Sequence, residues 1–197
     1  MATVEYKLIK NFFDRKELNF LQKYADKKLD EFTCLYNDKQ SFSASWYNDI
    51  VMSTLLETKL KKVEEESKLK LFPTYAYWRY YVFGGTLKEH TDRPACEVSV
   101  TANIKKHDDW PMIVGNSEFY LGEGDAVLYA GCIHDHSRPG VYKGDGMAQV
   151  FFHYVDKNGP FTHHAYDEYT KTTGERYTEK DNENKIKLKE EYDKRRQ

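Results

Sequence analysis

The chain predicts a mainly β domain closing as a sandwich or barrel, with two amphipathic helices in front of it. Three observations carry that expectation. The hydrophobic period changes from helical to extended at Pro73. Six short runs rich in aromatic and β-branched residues then follow, Tyr75 to Phe83, Glu97 to Ile104, Trp110 to Val114, Glu118 to Leu121, Ala126 to Tyr129 and Met147 to Val155. Turn residues separate them, at Gly85, Gly115-Asn116, Gly122-Glu123-Gly124 and Gly144-Asp145-Gly146.

Ahead of these runs, Tyr6 to Phe13 reads as a short strand, and Asp14 with Glu17 three residues on forms a capping box. Leu18, Leu21, Ala25, Leu29 and Phe32 then fall on one helical face, which should pack on the outside of a sheet. Ser41 to Tyr47 is polar and reads as loop. Ile50, Val51, Leu55, Leu56, Leu60 and Val63 predict a second helix, with Lys59 to Glu66 a solvated charged face. Beyond Gly159-Pro160 the chain turns strongly polar, and Lys171 to Gln197 reads as frayed helix around Ile186 to Tyr192 or as disorder.

At 197 residues the chain is one domain on length alone. A net charge of −2 gives no basic footprint for nucleic acid, and no aromatic-interleaved basic stripe supports one. Cys34, Cys96 and Cys132 make an odd number without a Cys-x-x-Cys pair, so neither a disulfide framework nor a thiolate zinc site is expected. The N-terminal stretch lacks the apolar run of a signal peptide, and no segment has membrane-spanning length, so the expectation is a cytoplasmic protein with no membrane partner.

The chemistry is expected between Tyr77 and His136. His90 and Asp92, spaced i and i+2 on extended chain, point to the same side and can share one small ligand. A third ligand must come from far along the chain, and His134 and His136 both stand in the right place. Two imidazoles and a carboxylate on one face of an octahedral ion suit a non-haem Fe(II) oxygenase. A second His-x-Asp, His107-Asp108-Asp109, follows Lys105-Lys106 in a polar turn and reads as surface loop.

Tyr81-x-x-Gly84, His90-x-Asp92, Gly122-Glu-Gly-Asp-Ala-Val-Leu-Tyr129, His136 and Ala148-Gln-Val-Phe-Phe-His-Tyr154 together resemble the Fe(II)- and 2-oxoglutarate-dependent dioxygenases, in their prolyl 4-hydroxylase-like branch. The resemblance runs from about Tyr6 to Val155. It implies a double-stranded β-helix, the cupin-like jelly roll, with the two N-terminal helices packed on the major sheet. The domain would span 1–160, and 161–197 would be a polar extension. It also implies Fe(II), 2-oxoglutarate as co-substrate and O2, and hydroxylation of an unactivated C–H in a peptide, protein or amino acid. The alternatives are a catalytically silent metal-binding jelly roll and a cupin-like metalloenzyme that uses no keto acid.

Residue by residue, the resemblance assigns the metal to His90, Asp92 and His136; His136 is preferred over His134 because similar proteins carry His-x-Arg there and Arg138 follows. The family's cation for the distal carboxylate stands nine or ten residues after the distal histidine, where this chain has Asp145 and Gly146. Arg138 is the expected replacement, since a guanidinium grips a carboxylate in bidentate fashion. Lys143 and Arg79 are the other candidates. Tyr81 matches the tyrosine that donates its hydroxyl to the same carboxylate, and Asn103 falls near a further polar contact. Arg93 and Trp46 or Tyr47 are candidates for the substrate entrance. His153, His163 and His164 are expected to be structural or surface residues.

Overall fold

The computed structural model describes residues 4–30, 41–167 and 178–196. Phe32 and Cys34, which figured in the expectations above, lie outside the described residues.

Among the described residues ten strands form two antiparallel sheets. The larger has the order β1 (Lys7–Ile9), β8 (Ala126–Tyr129), β5 (Val98–Lys106), β10 (Met147–Asp156), β3 (Leu71–Tyr81), β2 (Ser43–Tyr47). The smaller has the order β4 (Leu87–His90), β9 (His136–Arg138), β6 (Met112–Val114), β7 (Ser117–Phe119). Around them lie α1 (Arg15–Asp30), α2 (Ile50–Thr58), α3 (Leu60–Ser67) and α4 (Glu179–Arg196).

The central strands are covered on both faces, and the two faces differ in chemistry. All ten residues of β10 are buried. Ala148, Val150 and Phe152 of β10 share one cluster with Val100 and Ile104 of β5, Trp78 of β3, Leu21 of α1, Met52 and Leu56 of α2 and Val63 of α3. The alternate residues, Ser99, Thr101, Asn103, Gln149 and His153, are equally buried but polar. Buried polar side chains need partners, so this inner face is built for hydrogen bonding and ligand chemistry rather than for apolar packing.

The capping box at α1 is reciprocal: Glu17 N–H donates to Asp14 Oδ1 at 2.9 Å and Asp14 N–H to Glu17 Oε2 at 2.9 Å. The expected second helix is two, broken at Lys59. Lys59 is buried rather than part of a solvated face, because its ammonium leaves the helix surface to meet Phe12 O at 3.2 Å and Glu17 Oε2 at 2.5 Å. Lys68, at φ 63°, ends α3 in the left-handed conformation.

The polar stretch expected to be loop contains β2, an edge strand held by β3. Trp46 stands opposite Trp78 with the rings stacked 4.1 Å apart. Nor is the C-terminal segment disordered over the described residues: Leu188 and Tyr192 of α4 enter a buried cluster with Ala130, Cys132, Ile133, Val155 and Phe161. Among the described residues no helix is long and apolar enough to cross a membrane.

Candidate metal centre and cavity

Strands β4 and β9 pair so that His90 stands directly opposite His136. Each imidazole is turned the same way. His90 Nδ1 lies 2.8 Å from Lys88 O, and His136 Nδ1 lies 2.9 Å from His134 O, so each Nδ1–H donates to a backbone carbonyl and each Nε2 is free to bind a metal. Both Nε2 atoms face Asp92, at 3.5 Å from Oδ1 and 3.5 Å from Oδ2 respectively. The three ligand atoms lie within 4.8 Å of one another, close enough to hold one ion between them.

Asp92 is positioned by its backbone and by a glycine. Its N–H donates to Gly131 O at 2.8 Å. A Cβ at Gly131 would stand 2.7 Å from Asp92 Oδ2 and 3.0 Å from Cys96 O, so only glycine lets the two segments approach. Burial works against the Asp92 charge, but the His136 imidazole and the hydrogen-bonding imidazoles outweigh it and hold the carboxyl well below the usual range. The Asp92 contact in turn raises His90. The centre thus has an ionised carboxylate with two imidazoles aimed at it, a donor set that fits Fe(II).

Cys96 and His153 also lie within reach of Asp92. Burial pushes the Cys96 thiol well up, and its Sγ is 3.0 Å from Tyr75 Oη, which leaves it protonated and a poor ligand. His153 is bonded through Nδ1 to Ser99 Oγ at 2.9 Å, and burial lowers it to about 4, so it is a neutral structural histidine as expected.

His134 is not on extended chain beside His136: it closes the turn that precedes β9. Its Nδ1 accepts from Ala130 N–H at 3.1 Å, and its ring packs edge-on against Tyr6 and Tyr192. Its contribution to the centre is the carbonyl that orients His136. His107, Asp108 and Asp109 are exposed on the loop after β5.

A cavity of about 220 Å³ opens over the centre, walled by Tyr47, Tyr75, Tyr77, Arg79, Tyr129 and Phe151 among others. Tyr47 and Tyr75 stack at 4.8 Å. Arg93 lies beside them, over the Tyr75 ring at 4.4 Å, with Nη2 on Tyr47 Oη at 2.8 Å and Nη1 on Asp167 Oδ2 at 2.6 Å. Trp46 faces the other way, stacked on Trp78 beneath the helices.

Tyr81, Asn103 and Arg138 lie one alternation further along the inner strand faces and do not line this cavity. Arg138 is buried, with Nη2 donating to Gln149 Oε1 at 2.7 Å, Nη1 to Trp110 O, and its guanidinium 5.0 Å from the Trp110 ring centre. These partners are all neutral, and burial lowers its proton affinity. Arg79 Nη1 reaches Tyr81 Oη at 3.3 Å from the cavity side. Asn103 Nδ2 is committed to Leu121 O at 3.1 Å. Lys143 is exposed on the loop before β10.

Three contributors were given no role in the site by the sequence. Tyr129 packs its ring 4.9 Å from that of His136. Gly131 carried no turn signature of its own. Lys185, in the charged tail, reaches from α4 to donate to Asp92 O at 2.8 Å and Thr91 Oγ1 at 2.9 Å.

No protein-family model matches this chain, and no curated protein matches it. Its fold is that of solved 2-oxoglutarate and Fe(II) oxygenases. The viral collagen prolyl hydroxylase vCPH from Paramecium Bursaria Chlorella virus-1, in complex with 2OG, superposes with a TM-score of 0.57 at 13% identity, over 76% of this chain and 94% of that one. A Pseudomonas putida prolyl-4-hydroxylase gives 0.61 at 12%, over 80% and 95%. The non-heme alpha ketoglutarate dependent epimerase SnoN from nogalamycin biosynthesis gives 0.65 at 10%, over 78% and 78%. The jelly roll implied by the sequence resemblance is therefore the fold the chain has.

Proposed function

We propose that the chain is a Fe(II)- and 2-oxoglutarate-dependent dioxygenase that hydroxylates an unactivated C–H, with His90, Asp92 and His136 as the metal ligands. The observation that carries this is the convergence of the two Nε2 atoms on the Asp92 carboxylate, each ring locked by a backbone carbonyl. His90, Asp92 and His136 would hold the ion from one side, beside the cavity that would admit the keto acid and O2. When bound, ferrous iron would supply O2 activation coupled to oxidation of 2-oxoglutarate to succinate and CO2.

The protein's part is to bind, orient and exclude water. Arg138 is assigned to the distal carboxylate of the keto acid: a buried guanidinium whose partners are all neutral lacks a counter-charge, and a carboxylate would provide it. The Tyr81 hydroxyl, which accepts from Arg79, retains its own proton for the same carboxylate. Asn103 is the further polar group on that side. Residues 1–160 form the catalytic domain in this reading, and 161–197 form an extension whose α4 braces the metal loop through Lys185.

The substrate class that the cavity favours is a prolyl peptide. Aromatic rings on the cavity wall, Tyr47 stacked on the buried Tyr75 and Tyr77 tilted beside Tyr47, supply apolar surface of the kind on which extended proline-rich chains dock. The buried thiols Cys96 and Cys132 are unpaired, which suits a reducing, cytoplasmic setting.

The test is anaerobic addition of Fe(II) and 2-oxoglutarate, read by the visible metal-to-ligand absorption, followed by succinate release in air. Arg138→Ala should lose the keto-acid-dependent band while still binding metal. An unchanged keto-acid affinity in that variant would transfer the assignment to Arg79. No band and no succinate from the wild-type protein would overturn the proposal.

A further inference from the structure

A second group of metal-ligating side chains lies away from the oxygenase centre, where the 3₁₀ turn Thr162–His164 meets the first turn of α4. Asp181 closes a capping box there. Its Oδ2 accepts from Thr178 N–H at 2.8 Å and Thr178 Oγ1 at 2.9 Å, which leaves Oδ1 uncommitted. His163 Nε2 comes within 2.9 Å of that Oδ1 and His164 Nε2 within 3.5 Å, yet neither approach is aligned as a hydrogen bond.

The His164 side chain is 2% exposed, and among the described residues neither of its ring nitrogens has a hydrogen-bond partner. A buried imidazole with both nitrogens unmet carries a desolvation cost that native structures rarely tolerate. The expectation of a satisfied structural histidine therefore fails at this position. What the three atoms lack is something between them.

The spacing says what would fit. Ligands about 2.0–2.1 Å from a tetrahedral Zn(II) stand about 3.3 Å apart, and the two approaches to Oδ1 bracket that separation. Two imidazoles and one carboxylate exclude Mg(II) and Ca(II), which take oxygen ligands, and suit Zn(II) or a neighbouring divalent transition ion. We infer that His163, His164 and Asp181 form a second, Zn(II)-type site joining the turn after β10 to the N-terminus of α4.

The site has a structural consequence. Lys185, on the same helix one turn beyond Asp181, holds the carbonyl of Asp92 and the hydroxyl of Thr91, so an ion at the start of α4 would brace the loop that carries the oxygenase ligands.

This inference does not rest on the oxygenase reading, and the test separates them. Metal-free wild-type protein, Asp92→Ala and His163→Ala are dialysed to equilibrium against Zn(II), and the same three are titrated with Co(II) and followed by visible d–d absorption. His163 is half exposed, so its replacement should leave the fold intact, and far-UV circular dichroism checks each variant. Wild type should bind two equivalents. Asp92→Ala and His163→Ala should each bind one, and Asp92→Ala/His163→Ala should bind none within a tenfold weaker range. One equivalent in wild type that His163→Ala removes would support the new site and defeat the oxygenase centre. Binding by His163→Ala equal to wild type, in number and affinity, would overturn the inference and leave an ion pair only.

Discussion

Replacing Gly131 with alanine should weaken metal binding at the proposed His90, Asp92 and His136 centre while leaving the fold standing. The added Cβ would lie 2.7 Å from Asp92 Oδ2, against an ordinary contact of 3.4 Å, so the carboxylate must retreat by about 0.7 Å or the segments must part. The second route is closed on one side by Cys96 O at 3.0 Å, and it would break the 2.8 Å bond from Asp92 N–H to Gly131 O. The first route moves a ligand whose Oδ2 is already 3.5 Å from His136 Nε2. Either way the three donors no longer share one centre. Displacements of this kind in the groups that orient metal ligands typically weaken binding by about 10–100-fold, or roughly 1.4–2.7 kcal/mol. The overpacking itself should lower stability by about 1–3 kcal/mol. The assay is Fe(II) titration at fixed 2-oxoglutarate without oxygen, followed by the visible absorption band, with thermal unfolding run in parallel. Iron affinity within twofold of wild type in a folded Gly131→Ala protein would show that the glycine does not set the Asp92 position.

Four further outcomes are expected. Asp92→Ala should abolish the iron- and keto-acid-dependent band, whereas Asp109→Ala, on the exposed loop, should leave it unchanged. Lys185→Met removes the bonds to Asp92 O and Thr91 Oγ1 and should weaken iron binding several-fold without abolishing it; loss of all binding would mean α4 does more than brace the loop. Burial raises Glu97 from 4.5 to about 8, so its proton stays on in the folded state and comes off in the unfolded state through that window. Stability should therefore be lost as pH rises from 4.5 to 8, by at most roughly 5 kcal/mol, and Glu97→Gln should flatten that slope in denaturant titrations. Burial lowers His153 to about 4 from 6.5, which gives the opposite sign: stability is present above 6.5 and is lost as pH falls toward 4, by roughly 3 kcal/mol, and His153→Gln should remove that acid-side loss.

Local sequence patterns reached as far as the strands, the α1 capping box and the His90-x-Asp92 pair. Each of these depends on neighbours a few residues apart, through periodicity, cap chemistry and side-chain alternation. The choice of His136 was made in the sequence on the strength of Arg138 two residues later, and the β4–β9 register brings His136 to the Asp92 carboxylate. The residues that escaped reading act across long separations. β2 is polar in itself and becomes a strand because β3 offers it an edge. Lys59 looks solvated until the carbonyl of Phe12 is placed beside it.

From its residues alone this chain announces a β-rich sandwich or barrel, the family resemblance narrows that to a jelly roll, and His90, Asp92 and His136 stand out as a candidate two-histidine, one-carboxylate set. Tertiary structure alone decided which faces those ligands present, since the backbone carbonyls of Lys88 and His134 turn both imidazoles and Gly131 admits the carboxylate. It also decided that the charged tail folds back as α4, and that His163 and His164 meet Asp181 with both ring nitrogens of His164 unsatisfied. The reason is range: periodicity and capping are short-range and written in order along the chain, whereas ligand convergence and burial depend on which distant segments the sheets bring into contact.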